Sequence, residues 1–326
     1  MKRINNNIAN IVEESFSELS KVRLNKNDFY YRTLNSKLNL NFGVFGEDNS
    51  PCIGLKVNDQ FLRYKVVNKY KVITLMNAPC SIGQRIIIIL NNSKKIDIFK
   101  KLYKWIHQDL SEDINCIKTF DDLVQYIDEY GELFEKKIDR NISKESSIGL
   151  YGELDLINEL IKTNNHEIEE IIESWSGYSR STHDFNLGRK KIEVKSSLNA
   201  NNIINCSSIN QLIYKLNYQT YLIHFVYTEN KENNNKSLFN LIDSIKVKLK
   251  NHKKALSKFI RKLEIFGIEN VKNLKLTRIN TNIFEIKDDF PSFKGLKIHN
   301  SIMDLKYKID LSLCDNWLSS VEIDEL

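Results

Sequence analysis

The sequence predicts an α/β protein built from three successive parts. Short apolar runs separated by turn residues fill residues 38–90, which predicts a β-rich N-terminal module with helices over residues 1–140. Residues 141–230 carry helix and strand patterns in the order α-β-β-β-α-β, which predicts a mixed sheet flanked by helices. Residues 231–326 begin with a long apolar stripe at helical spacing, which predicts an α+β extension packed on that core.

The N-terminal module is predicted to contain one short helix, a run of strands and two longer helices. The short helix covers residues 9–20, where Ile11, Val12, Phe16 and Leu19 share one side. Turn residues delimit five strands, at 38–45, 53–57, 61–67, 71–75 and 85–90. The two longer helices are expected near 95–109 and 119–139, the second with Thr119 as its N-cap.

The core and the extension follow a polar segment at 139–144, which we interpret as the boundary. The predicted core elements are a helix at 145–163, a strand at 167–172, strands at 182–187 and 191–197, a helix near 207–217 and a strand at 220–227. The extension is predicted to hold two or three short strands, a helix near 312–320 and, first, one long helix. The core face of that long helix is predicted to be Leu238, Leu241, Ile245, Leu249, Leu256, Phe259, Ile260 and Leu263.

Bulk composition narrows the class of protein only slightly. The chain has 48 basic and 42 acidic side chains, a net charge of +6. That excess suits a polyanionic partner, and a solvated lysine-rich surface explains it equally well. The five cysteines lack zinc-ligand spacing and suggest a reducing compartment. With neither a signal peptide nor an apolar run long enough to cross a bilayer, a cytoplasmic protein without membrane contact is expected.

Residues 182–195 carry the pattern of a β-hairpin. Two alternating runs flank Gly188-Arg189, which fits a two-residue turn with a positive φ at Gly188. The turn pairs Leu187 with Lys190, Phe185 with Ile192, and Asp184 with Glu193. Ile192 and Val194 then point into the core, whereas Glu193 and Lys195 project from the other face.

Two opposed carboxylates indicate a metal site. Their Cβ atoms would lie roughly 4.5–5.5 Å apart, which is destabilising unless a cation lies between them. A divalent metal and Lys195 are the natural candidates, because hard cations prefer oxygen ligands. The alternative is a surface hairpin with a cross-strand salt bridge, since a D-x8-E-x-K string also occurs by chance in a chain rich in Lys and Glu.

An upstream helix offers a third carboxylate. Gly149 and Gly152 lie within four residues of each other, at a cost of roughly 1 kcal/mol each relative to Ala in a helix. Such a cost suggests that the backbone closely approaches a neighbouring strand or a nucleic-acid strand. Glu153 can then point at the hairpin, although an ordinary solvated carboxylate is the alternative.

These motifs together resemble the PD-(D/E)XK nucleases. The shared elements are a G-L-x-G-E-L helix, a W-x-G element at 175–177, H-D-F at 183–185 and I-E-V-K-S-S at 192–197. More narrowly, the chain is similar to the bacterial "PD-(D/E)XK motif protein" family of restriction and phage-defence loci. The resemblance covers about residues 145–228, with a weaker match at 307–312. It implies a restriction-endonuclease-like core.

The resemblance implies a role for each matched position. Asp184, Glu193, Glu153 and the backbone carbonyl of Val194 would bind the metal, and Lys195 would orient the attacking water and stabilise charge on the phosphate. His183 replaces the proline of the motif name, and His183, Ser196 and Gln211 would have supporting roles. Basic residues flanking the site would grip DNA or remain solvated: Arg180, Arg189, Lys190 and Lys191. Lysines at 246–262 leave the same two alternatives open.

The implied function is a Mg²⁺-dependent endonuclease, with Mn²⁺ able to substitute, that hydrolyses phosphodiester bonds in double-stranded DNA. Its expected setting is a restriction-modification or anti-phage system, with a homodimer and ATPase or helicase-like and methyltransferase partners as further expectations. Two alternatives stay open. One is a non-catalytic DNA-binding or scaffold subunit of such a complex. The other is a repair or RNA-processing nuclease of the same fold.

Overall fold

The computed structural model describes residues 19, 21–26, 28–57, 65–68, 70–80, 83–129, 142–176, 181–199, 201–208, 211–229, 237–268, 271–293 and 305–326. The predicted helix at 9–20, the beginning of the strand at 61–67, the second half of the helix at 119–139 and the polar boundary at 139–141 lie outside these residues. The chain divides into two compact units, Met1–Lys137 and Ile138–Leu326. Within the described residues, no helix is long and apolar enough to cross a membrane.

The first unit is built on an antiparallel sheet with the order β1-β2-β3-β6-β5-β4. The strands are β1 (Phe29–Asn35), β2 (Leu40–Phe45), β3 (Ser50–Val57), β4 (Val66–Val67), β5 (Ile73–Cys80) and β6 (Gly83–Leu90). Helices α1 (Ile96–Glu112) and α2 (Phe120–Glu129) follow. The ring of Tyr103 on α1 packs edge-on against Phe42, with centroids 5.9 Å apart. Sequence analysis did not predict β1.

The second unit is built on a four-stranded mixed sheet with the order β11-β10-β8-β7. Its helices are α3 (Lys144–Thr163), α4 (Ile168–Ser174), α5 (Leu238–Lys248) and α6 (Lys253–Phe266). Its strands are β7 (Phe185–Leu187), β8 (Lys190–Leu198), β10 (Gln219–Glu229) and β11 (Leu276–Glu285), while β9 (Ile203–Cys206) pairs separately with β12 (Tyr307–Asp310). The expected mixed α/β architecture is confirmed, but β11 makes the C-terminal part a component of the same sheet.

The predicted strand at 167–172 is wrong, because these residues belong to helix α4. Ile168, Ile171 and Ile172 follow i, i+3, i+4 spacing, and Ile171 and Ile172 are buried on one side. Glu169 and Glu170 occupy the first turn, where the helix dipole favours negative charge.

The predicted helix near 207–217 is also wrong within the described residues of that segment, which form bends and turns after β9. Serine side chains compete with helical hydrogen bonding. Here Gln211 Oε1 accepts a hydrogen bond from the Ser207 backbone N–H at 3.0 Å, which closes a turn instead. The order α-β-β-β-α-β therefore does not hold: two helices precede the hairpin, and turns stand in place of the second helix.

The predicted single helix over 238–263 is two helices, because the chain leaves helical geometry at His252. The break changes which face of α6 is buried. Ala255, Phe259 and Leu263 are buried, whereas Leu256 and Ile260, which a continuous helix would have buried, are only half-buried. Near 312–320 the chain likewise forms two single 3-10 turns, Leu311–Leu313 and Asp315–Trp317, in place of the predicted helix.

Candidate active site

The hairpin of β7 and β8 has the predicted register. Phe185 pairs with Ile192 and Leu187 with Lys190, and Gly188 in the turn has φ +56°. Ile192 and Val194 belong to the hydrophobic core. A two-residue turn fixes which residues face each other, so Glu193 and Lys195 share the face opposite to Ile192 and Val194.

Asp184 lies one residue before the first pair of the hairpin, and hydrogen bonds hold it there from two sides. The Ser176 backbone N–H donates to the Asp184 carbonyl at 2.7 Å. The Val194 backbone N–H donates to Asp184 Oδ2 at 2.8 Å. The side chain of Asp184 therefore takes the position of a further strand residue and is fixed beside Glu193.

Gly152 lets helix α3 approach β8 closely. A Cβ atom at this position would lie 2.0 Å from Ser196 Oγ, whereas one at Gly149 would meet no atom within 4 Å. The predicted close approach to a strand is thus confirmed for Gly152, and Gly149 instead borders open space. The next residue, Glu153, is nearly buried, and the Trp175 indole Nε1 donates to its Oε2 at 2.6 Å.

Lys262 of α6 fixes the end of α4 and with it Trp175. Its buried ammonium donates to the carbonyls of Ile172, Glu173 and Trp175, at 2.5, 3.1 and 2.5 Å. A cation at a helix C-terminus satisfies carbonyls that have no helical partner. The indole of Trp175 is fully buried in the core. Because this indole donates a hydrogen bond to Glu153, Lys262 also helps to fix the position of Glu153.

The three carboxylates share one ammonium. Lys195 Nζ lies 2.6 Å from Glu193 Oε1. Glu193 is 1% exposed, and its buried Oε2 has no hydrogen-bond partner among the described residues. Burial, then the charge of Asp184, raises the pKa of Glu193 to about 8 despite Lys195. Burial also raises the pKa of Asp184 and, together with Asp184, the pKa of Glu153. The surrounding carboxylates in turn raise the pKa of Lys195, which stays protonated.

These groups form the floor of a cleft of about 710 Å³. Neutral hydrogen-bonding side chains line much of the remainder: Ser181, Thr182, Ser196, Asn205, Ser207, Ser208 and Gln211. Among the described residues of the lining, Lys195 is the one basic side chain, against Glu145, Glu153, Asp184 and Glu193. A polyanion would enter this cleft favourably only if a further cation compensated the carboxylates.

The donor set fits a hard divalent cation. Among the described residues, no three acidic, histidine or cysteine side chains already converge as a preformed metal site. Mg²⁺ needs only one or two carboxylates, because water and phosphate complete its shell. Asp184 and the under-bonded Glu193 supply these. Since the N–H and C=O of one strand residue point to the same edge, the Val194 carbonyl lies on the side of Asp184.

The predicted supporting residues surround this floor in different ways. Gln211 and Ser196 line the cleft, and the buried Ser196 Oγ has no hydrogen-bond partner in the described part of the chain. His183 is buried next to Asp184 without lining the cleft, and its Nε2 is likewise unpartnered. Burial, then the charges of Lys191 and Lys215, lowers the pKa of His183 to about 4, so it is neutral at pH 7.

The predicted DNA-gripping residues do not gather at the cleft. Arg180 lies outside the described residues. Arg189 and Lys190 lie at the hairpin turn, about 13 Å and about 10 Å from Glu193 by strand rise. Lys190 Nζ there contacts the carbonyls of Glu325 and Leu326. Lys191 shares the face of Glu193, with Nζ 4.7 Å from the ring centroid of Tyr218.

The lysines at 246–262 form neither a DNA-facing stripe nor a wholly solvated face. Lys248 Nζ donates to the Asn158 side chain at 2.8 Å, and Lys262 is buried as described above. Sequence analysis did not predict that Lys262 is buried and fixes the end of α4, nor that residues 205–208 contribute a wall of the cleft. The run Asn205-Cys206-Ser207-Ser208 was the available signal for that wall, since adjacent small polar residues next to a catalytic motif suit substrate contacts.

Comparison with known proteins identifies the family. The family described as "Putative PD-(D/E)XK family member (DUF4420)" matches residues 12–312. Comparison with curated proteins and comparison with solved structures each found no match. The family match spans most of the chain and includes the helix, the hairpin and the cleft. The chain therefore belongs to this PD-(D/E)XK family, within the nuclease superfamily that the sequence motifs indicated.

Proposed function

We propose that this protein is a Mg²⁺-dependent endonuclease that hydrolyses phosphodiester bonds in double-stranded DNA, with Mn²⁺ able to replace Mg²⁺. The observation that carries the proposal is the cleft floor, where three carboxylates share one ammonium and the buried Oε2 of Glu193 has no hydrogen-bond partner among the described residues. Such an arrangement is costly for stability alone, because buried like charges repel each other. It is useful where a cation and a phosphate are to be bound.

The residues divide the chemistry between them. Asp184, Glu193 and the Val194 carbonyl would hold the cation, with Glu153 supporting them from α3. The bound cation would lower the pKa of an attacking water and offset charge on the phosphate. Lys195, whose pKa is raised, stays protonated and therefore acts as a hydrogen-bond donor to water and phosphate rather than as a base.

The neutral cleft lining suits the sugar-phosphate backbone of a substrate. Hydroxyl and amide side chains such as Ser196, Asn205 and Gln211 donate to phosphate oxygens and fix register without reading sequence. The net charge of +6 supports a polyanionic substrate. A role in restriction or anti-phage defence, with methyltransferase and ATPase or helicase-like partners, is the setting that the family resemblance favours.

The test is cleavage of supercoiled plasmid by wild type and Asp184→Asn, with Mg²⁺ or with EDTA. Asn keeps the size of the side chain and an oxygen for the Val194 N–H but loses the charge. We expect Asp184→Asn to reduce cleavage by about 1,000-fold or more, as loss of an essential catalytic group does. Asp155→Asn is the matched control, because Asp155 is a buried carboxylate of helix α3 that accepts a hydrogen bond from Tyr227 outside the cleft.

Metal-dependent cleavage that Asp184→Asn abolishes and Asp155→Asn retains would establish the nuclease and its site together. A wild type that binds DNA but never cleaves it would favour the non-catalytic scaffold. Cleavage of RNA in preference to DNA would favour the RNA-processing alternative. An Asp184→Asn variant as active as wild type would show that the assigned site is wrong.

A further inference from the structure

The loop at residues 214–218, beside the cleft, exposes a leucine at its tip. The Tyr218 backbone N–H donates to the Lys215 carbonyl at 3.2 Å, which makes Leu216 and Asn217 the central residues of a turn. Leu216 is 89% exposed and Tyr218 41% exposed. Turn centres favour Gly, Asn, Asp, Ser and Pro for conformational reasons that do not apply to Leu. Leu216 therefore adds little to folding at this position.

The surroundings of Leu216 are basic and aromatic. Lys191 Nζ lies over the Tyr218 ring, and Lys215 belongs to the same turn. Arg189 is fixed alongside, because its carbonyl accepts from the Gln219 N–H at 3.0 Å. In the part of the chain that the structure describes, none of these three cations forms an ion pair with a carboxylate. Elsewhere in the unit, by contrast, Lys246 pairs with Asp243 and Lys258 with Glu173.

The loop and the carboxylates are joined by β8. Lys191 and Glu193 lie on the same face of the strand, two residues and roughly 6.6 Å apart. Both Lys191 and Lys215 lie close enough to His183 to lower its pKa. Lys191, which shares a strand face with Glu193 and contacts Tyr218, therefore links the cleft floor to the turn that carries the exposed leucine.

We propose that the 214–218 loop is a wedge that inserts Leu216 between stacked bases of DNA near the scissile phosphate. Lys191, Lys215 and Arg189 contact phosphates on either side, and Tyr218 supports Lys191 from below. Apolar side chains inserted between base steps unstack and kink DNA, at a cost of a few kcal/mol per step. The wedge rests on the proposed function, to which it adds a substrate preference for mismatched or easily unstacked steps.

The experiment measures binding and base unstacking with Ca²⁺ in place of Mg²⁺, because Ca²⁺ also takes carboxylate ligands and offsets their charge. A duplex carrying 2-aminopurine is titrated with wild type, Leu216→Ser, Lys215→Ala and the matched control Leu313→Ser. Leu313 belongs to the same unit and is 79% exposed, and it lies on a different turn, the 3-10 turn Leu311–Leu313. We expect wild type and Leu313→Ser to raise the fluorescence of 2-aminopurine. Leu216→Ser should lose this signal and weaken the Kd about tenfold.

Salt dependence separates the wedge from the phosphate contacts. Lys215→Ala should reduce the slope of log Kd against log salt concentration by about one, whereas Leu216→Ser should leave this slope unchanged. If Leu216→Ser binds and unstacks DNA like wild type, the wedge is refuted while plasmid cleavage still tests the nuclease separately. If instead Leu216→Ser only abolishes sedimentation with phosphatidylserine vesicles, the loop contacts membranes and the DNA wedge is equally refuted.

Discussion

At the scale of single residues, the site concentrates negative charge that the protein alone does not neutralise. Lys195 offsets part of the charge of Asp184, Glu193 and Glu153, yet burial still raises the pKa of each carboxyl group, and the charge of Asp184 raises the pKa of Glu193 and Glu153 further. Each therefore binds a proton more tightly in the folded than in the unfolded chain. This electrostatic penalty makes the site receptive to a divalent cation.

The penalty predicts how stability depends on pH without metal. Unfolded Glu193 loses its proton near pH 4.5, whereas folded Glu193 keeps it up to about pH 8. Between these values the folded state binds more protons, so the free energy of unfolding falls as pH rises. His183 and His224, whose pKa values are lowered to about 4, oppose this trend only below about pH 6.5.

The window to measure is therefore pH 6.5–8.5, by urea unfolding in EDTA. We expect wild type to lose up to about 1.4 kcal/mol per pH unit, the value of one proton. Glu193→Gln cannot ionise and should show a shallower slope, while the exposed Glu167→Gln should match wild type. A wild-type stability that rises through this window would contradict the raised pKa of Glu193.

The contrast between Asp184 and Trp175 shows what can be predicted from sequence at this scale. The pairing that brings Asp184 to Glu193 depends on a two-residue turn with a glycine, and local pattern determines that turn. The hydrogen bond from Trp175 to Glu153 and the contacts of Lys262 with 172–175 join residues far apart in the chain. No local pattern encodes them, so they emerge only from the packing of α3, α4 and α6.

At the scale of elements, the packing of helix α3 on strand β8 determines where Glu153 lies. Gly152 is the closest point of this packing, next to Ser196 and Val194. Gly149, one turn earlier on the same helix, has open space where a side chain would be. Glycine in this helix is thus sterically required at position 152 but not at position 149.

This difference predicts opposite effects of two Gly→Ala substitutions. Gly152→Ala forces α3 away from β8, so we expect about 1–3 kcal/mol of destabilisation and at least a tenfold loss of cleavage as Glu153 moves. Gly149→Ala should instead stabilise the protein by up to about 1 kcal/mol, because Ala favours helix. Thermal unfolding and plasmid cleavage measure both effects.

The double variant Gly152→Ala/Ser196→Gly identifies the cause. Removing the Ser196 side chain eliminates the contacts at 2.0 and 3.3 Å, so stability should recover toward that of Ser196→Gly alone. If Gly152→Ala is as stable as Gly149→Ala, the approach of α3 to β8 does not require glycine.

The segment at 167–172 and the one at 207–217 show why some elements were misassigned. Three isoleucines within five residues suit either a short buried strand or a short helix, and α4 is a helix because its buried side follows helical spacing. Residues 207–217 have apolar residues at helical spacing as well. There the hydrogen bond from the Ser207 backbone N–H to the Gln211 side chain stabilises a turn in place of a helix, and Leu216 remains outside the core.

At the scale of the whole molecule, the core sheet of the second unit is assembled from distant segments. β11 pairs with β10, with Glu285 opposite Tyr221, and completes the sheet although it lies far from β10 in the sequence. One hydrophobic cluster joins Ile148 and Leu154 of α3 to Phe259, Ile283 and Leu326. A core ending near residue 230, as the sequence suggested, would therefore lack part of its own sheet and of its hydrophobic interior.

We predict that residues 138–326 fold without the first unit, whereas residues 138–230 do not. Every member of the hydrophobic cluster of the second unit that the structure describes lies at residue 142 or later, so the longer fragment keeps them all. The shorter fragment would expose Ile223, Phe225 and Tyr227 on β10, which would keep β8 as a neighbour but lose β11 on its other edge. Each buried large apolar side chain contributes about 1.5–3 kcal/mol. Losing these contacts together with the cluster members after residue 230, from Leu238 to Leu326, exceeds the roughly 5–15 kcal/mol by which a domain is stable.

Urea unfolding followed by near-ultraviolet circular dichroism distinguishes the two fragments. We expect one cooperative transition for 138–326 and none for 138–230, whose aromatic signal should be lost already without urea. Ile283→Asp in 138–326 tests the same interior without truncation, since it places an unpaired charge in the cluster and should abolish the transition. A cooperative transition in 138–230 would mean that β7, β8 and β10 suffice as a core. The C-terminal strand would then be an addition to the sheet rather than a requirement for it.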